Sequence, residues 1–190
     1  LSAPFVGGVG VYAFYAMQPY LLELYGDPEA YSVAGLAAAI IAGAQVLGGF
    51  LAPRIRALFR RRTTVLVLTT FVSAAVLALL GITNAFWLAL VLLVVWALLF
   101  SAEVPVRQAY LNDMIPSQQR ATVLSFDSLM GSSGGVVIQP VLGRVADVSG
   151  YATSFVVGSA IQLVAVPFLV ASRRVRAPAD TAGGRTAVSP

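Results

Sequence analysis

The sequence predicts an all-α integral membrane protein, with six transmembrane helices arranged as an inverted 3+3 repeat. Three observations carry that reading. Apolar windows of bilayer length fill the 190 residues almost from end to end. Hydrophobic residues make up 58% of the chain and charged residues only 11%, against roughly 25% charged in soluble domains. Nearly all the arginines lie on one side of the windows.

A hydrocarbon core of about 30 Å requires about 20 helical residues at 1.5 Å each. Windows of that length run at about 5–24, 31–52, 63–82, 85–108, 121–142 and 152–172. The first, Phe5 to Leu24, carries Pro19 near its end, and the loop after it holds Glu23, Asp27 and Glu29 with no basic residue. The second, Tyr31 to Ala52, runs into PRIRALFRRR, with Arg54, Arg56, Arg60, Arg61 and Arg62. The third and fourth are joined by a tight uncharged turn at Thr83 and Asn84, and the fourth and fifth by a segment bounded by Arg107 and Arg120. The fifth ends near Arg144 and Asp147. The sixth gives way to RRVRAPADTAGGRTAVSP (173–190), whose small and polar residues predict a disordered tail.

Alternating these connections places 11 of the 12 arginines on one side. The positive-inside rule makes that side cytoplasmic, so both termini are expected inside a multi-pass protein of the cell membrane. Shifting the chain by 94 positions superimposes the first three spans on the last three and aligns Gly49 with Gly143 and Ala52 with Ala146. Three being odd, the second triplet lies upside down, a recurring architecture of transporters.

Composition excludes several chemistries. There is no Cys and no His, so thiolate metal sites and the commonest general base are absent. No phosphate-cradling glycine loop followed by Lys occurs. The net charge of +4 comes from arginines at membrane borders, which points to a lipid bilayer and away from nucleic acid. The protein is expected not to be an enzyme and to need no cofactor or metal.

Polar groups inside the spans point to function, because such groups turn to a partner or a water-filled cavity. Tyr12, Tyr15 and Gln18 on the first span and Gln45 on the second suit a substrate wall; Tyr12 and Tyr15 could equally bond to neighbouring helices. Glu103 and Arg107 stand at i and i+4 near the cytoplasmic boundary, as a structural ion pair or a gate. Asp127 is a proton-coupling candidate, or the ion-pair partner of a neighbouring arginine. Gly131 and Gly135 give the small-xxx-small spacing of a close helix crossing, and Pro140 permits a bend. The third and sixth spans, without charge, are expected to face lipid behind the pathway.

Two stretches, NDMIPSQQRATVLS (112–125) and GGVVIQPVLGRVADVSGY (134–151), together with six spans whose ends are both inside, resemble the carboxyl-terminal half of a major facilitator superfamily transporter. The family loop G-x-L-A-D-R-x-G-R-R is matched by Gly49, Leu51, Ala52 and Arg54, with Pro53 replacing the acid and Arg56 the second glycine. Gly135, Pro140 and Gly143 echo the family's antiporter signature, with Gln139 and Arg144 in place of two glycines. The resemblance implies half of a major facilitator fold and secondary active transport by alternating access. An aromatic, uncharged lining favours a small organic molecule, drug-like efflux and coupling to H+. The missing partner would be an amino-terminal six-helix half, or a second copy of the chain, covering an open polar face. A permease subunit of an ATP-driven transporter is the alternative; it would need a coupling helix that these short connections do not offer.

Overall fold

Proline and glycine set where the helices stop, bend or meet. The computed structural model describes residues 2–174 and 180, and every regular element among them is helical. Helix α1 (Ala3–Tyr25) closes on Gly26 in the left-handed conformation, whose N–H bonds the Leu22 and Glu23 carbonyls, as helix C-caps commonly do. Helix α2 (Tyr31–Ala57) continues through Pro53 into a last turn carrying Arg54 and Arg56, where cations complement the helix dipole. Helix α3 (Arg62–Ile82) and α4 (Phe86–Met114) form an antiparallel hairpin across three residues. Ile115 is extended because Pro116 follows, and α4 ends there.

Helix α5 (Arg120–Leu163) covers both the fifth window and the start of the sixth. The loop expected between them is a single break at Gly150, with φ 84° and ψ 161° inside otherwise helical backbone. Val164 separates α5 from α6 (Ala165–Arg174). Pro167 explains that turn, since it cannot donate to the Leu163 carbonyl. The last span is therefore the second arm of α5, 151–163, followed by α6.

Helices α2, α3 and α4 and the stretch Ser117–Arg174, 58 residues long, are each long and apolar enough to cross a membrane. Helix α1 is long enough but less apolar, diluted by its glycines, Tyr12, Tyr15, Gln18 and Glu23. It is nonetheless central, with one face buried from Ala3 to Leu21.

Packing follows a two-fold pattern. The first arm of α5 lies along α1, and α2 lies along α4. Exchanging α1 with α4 and α2 with α5 turns one pair into the other, as an inverted repeat requires. Helix α3 packs against the last span, its symmetry mate, with Gly81 against Ala152 and Leu66 clustered with Leu169. The main core joins α1, α3, α4 and the second arm around Tyr20, Leu77, Leu93, Trp96 and Phe155. Helix α3 exposes the apolar side chains Leu68, Phe71 and Leu79 on its outer face. Its Thr69, Thr70 and Ser73 are buried between helices rather than turned to lipid.

The tail from 173 falls mostly outside the described residues. Asp180, which is described, is buried, and its carboxylate accepts the Thr63 N–H at 2.8 Å and the Thr63 hydroxyl at 2.9 Å. It caps the amino end of α3.

Candidate substrate groove and its polar network

The crossing of α1 with α5 creates a groove. A Cβ at Gly8 would lie 2.7 Å from the Gly134 carbonyl oxygen, and one at Gly134 would collide with the backbone of Pro4. The two helices therefore touch backbone to backbone where the first turns of α1 meet the middle of the first arm of α5. Beside the contact lies a groove of about 610 Å³ lined by Val11, Ser132, Gly135, Val136, Gln139 and Pro140. Tyr15 and Gln18 stand on the Val11 face of α1, one and two turns further on, both exposed, Tyr15 at 69%. No lining residue carries a formal charge.

Several expected residues stand elsewhere. Tyr12 is buried and donates to the Ser154 hydroxyl at 2.5 Å, against the Phe155 ring. It braces the last span and does not line the groove. Gln45 is half-buried on α2, away from the lining residues. Gly131 does lie at the crossing, 3.1 Å from where a Cβ on Gly7 would stand. Gly135 faces the groove, its open side leaving room for the Gln139 amide, and Gly143 has nothing near it. The close approach is made by Gly134, one residue off the expected stripe.

The ion pair expected between Glu103 and Arg107 is replaced by two separate arrangements. Arg107 reaches across to Asp127 on α5 at 2.6 Å. Glu103 is buried against α3, where the Thr69 hydroxyl lies 3.0 Å and the Thr70 hydroxyl 3.3 Å from its oxygens. Helical spacing made the first pairing available; the neighbouring helices offered better partners. Arg62 pairs with Asp113 at 2.7 Å and donates to the Ala109 carbonyl at 2.8 Å, fixing the arginine-rich ends of α3 and α4 together.

The Major Facilitator Superfamily model matches residues 1–189. The chain belongs to that superfamily. Among solved structures, the chain is similar to a crystal structure of a mutant peptide transporter POT in complex with alafosfalin, with a TM-score of 0.68 and 15% identity. That similarity covers 91% of this chain and 38% of the other, so the chain spans well under half the length of the transporter it resembles. No curated protein matches.

Within this superfamily fold, what the sequence leaves unassigned is the set of partners that neighbouring helices supply. Ser132 enters the groove wall beside Gln139, and Ser154 receives Tyr12. Thr69 and Thr70 had a signal: the three-residue turn makes α3 and α4 an antiparallel hairpin, in which Glu103 comes within about one turn of Thr69.

Proposed function

We propose that this chain is one six-helix half of a secondary active transporter. It moves a small organic molecule across the cell membrane by alternating access, with both termini cytoplasmic. The specific activity is drug-like efflux coupled to protons, and the partner is a second six-helix bundle, in the same polypeptide or as a second copy. The groove between α1 and α5 carries this reading. Its walls are apolar and amide or hydroxyl in character, with an exposed tyrosine beside them, which suits an amphipathic organic solute better than a small anion.

The Arg107–Asp127 pair supplies the gate in this proposal. It joins α4 to the first arm of α5 at the arginine-rich end, so any rocking that separates those helices must break it. Asp127 acts through this pair, and Gly131 and Gly134 let α5 pivot against α1.

Reconstituting the full-length protein in vesicles with a lipophilic dye tests the proposal. Accumulation should require a proton gradient and ignore ATP. Flux that requires ATP and ignores the gradient would refute it and favour the permease-subunit alternative.

A further inference from the structure

Glu103 stands where an ionised carboxylate is hardest to keep. It is 6% exposed, packed between helices towards the cytoplasmic end of its span, and its oxygens meet hydroxyls rather than a cation among the described residues. The Thr69 hydroxyl has one proton to give. Its oxygen lies 2.9 Å from the Val65 carbonyl and 3.0 Å from Glu103. The Thr69 hydroxyl therefore donates either to Glu103, as the Thr70 hydroxyl does, or to the Val65 carbonyl, in which case Glu103 itself supplies the proton of their contact.

Among the described residues, the surrounding charges are engaged elsewhere. Arg107, one turn along α4, is the charged group whose field reaches Glu103, but its guanidinium is held by Asp127 of α5. From α3 only the two threonine hydroxyls face the acid. From α2, Gly48 and Ala52 approach α4 near this level. Arg56 and Arg62 lie nearer the arginine-rich end, donating to the Phe59 carbonyl and to Asp113 and the Ala109 carbonyl. Asp180 sits beyond them with Thr63. On the other side, Ser73 and Gln162 have buried oxygens with no partner among the described residues. The register of α3 against the last span puts these two at one level, one turn past Thr70, so the seam remains polar and uncharged.

We infer that Glu103 is a proton-binding site, filled while Asp127 holds Arg107, and that Arg107 is a cation shared between the two acids. Glu103 and Arg107 are at i and i+4, within reach of one another along the helix. When α5 separates from α4, the guanidinium turns back to Glu103. The carboxylic acid then loses its proton to water in the opened seam and becomes the carboxylate partner of Arg107, while Asp127, already about one-third exposed at its side chain, is left to solvent. Opening of the α4–α5 seam and proton release are thus one event. The use of the proton rests on the transport reading above; the charge state of Glu103 does not.

Infrared difference spectroscopy of the full-length protein in lipid nanodiscs, titrated with acid and base, tests this. The carbonyl band of a protonated carboxylic acid should be present at neutral pH and missing in Glu103→Gln. In Asp127→Asn the freed guanidinium should move the band's titration to lower pH by about one unit or more. A neutral-pH spectrum with no such band, or one that Glu103→Gln leaves unchanged, would overturn the site; an unmoved titration in Asp127→Asn would overturn the shared cation. Should Glu103→Gln fail to fold, Thr69→Val with Thr70→Val keeps the acid but strips its partners. The band should then shift to higher frequency, and a band indifferent to that change would overturn the assignment. Flux that ignores the gradient in a protein retaining the band would count against proton-coupled transport alone.

Discussion

Tyr12 and Tyr15 are separated by less than one turn of α1, and their surroundings give them different work. The Tyr12 hydroxyl is bonded to Ser154, which itself donates to the Tyr151 carbonyl at 2.6 Å. Tyr12→Phe therefore leaves the Ser154 oxygen without this donor but strands no donor, and it should lower unfolding stability in detergent by about 0.5–1.5 kcal/mol without changing dye affinity. Tyr15, largely exposed, makes the opposite prediction. Tyr15→Ala should leave stability within about 0.5 kcal/mol and weaken dye binding in a fluorescence titration; unchanged binding would remove Tyr15 from the groove. The sequence singled out both tyrosines because both are polar groups in a span, but which face of α1 is covered depends on where the last span lies. The same holds for Glu103. Its spacing from Arg107 is written in the sequence, whereas the competing offers from Asp127 and Thr69 arise only once α3 and α5 are packed beside α4.

At the scale of elements, the turn between the fifth and sixth spans rests on Gly150. Its φ of 84° with ψ of 161° lies in a region essentially confined to glycine, so Gly150→Ala should cost about 1–3 kcal/mol. Gly134→Ala should be damaging for a different reason, since the new methyl would meet the Pro4 backbone. Overpacking of that kind costs about 1–3 kcal/mol. Gly143→Ala meets nothing within 4 Å and should be neutral or stabilising by up to about 1 kcal/mol, as helix propensity favours alanine. Thermal unfolding followed by circular dichroism checks all three, and a neutral Gly134→Ala would contradict the crossing described. The existence of these helices was legible because twenty apolar residues leave few alternatives in lipid. The exact seam was not: the fifth span offers several small residues, and a shift from Gly135 to Gly134 depends on the rotation of α5 about its own axis.

For the whole molecule, the alternation of arginine-rich and arginine-free connections makes a topological prediction. In sealed vesicles of known orientation, Arg61→Cys should react from the cytoplasmic side and Asn84→Cys from the exterior. The inverted repeat is visible in the structure as the exchange of the α1–α5 pair with α2–α4 and as the pairing of α3 with the last span. Only a faint trace of it survives in the sequence, because equivalent positions need matching shape and not matching residues. Alternating access through the α1–α5 groove is the central claim, and the lack of cysteine in this chain suits it to a direct measurement. Gln139→Cys, in the full-length protein freed of any other cysteine, should be labelled by a membrane-impermeant maleimide from one side of the vesicle, with reactivity passing to the other side when the substrate or proton gradient is reversed. Labelling confined to a single side under every gradient, or absent from both, would contradict the account.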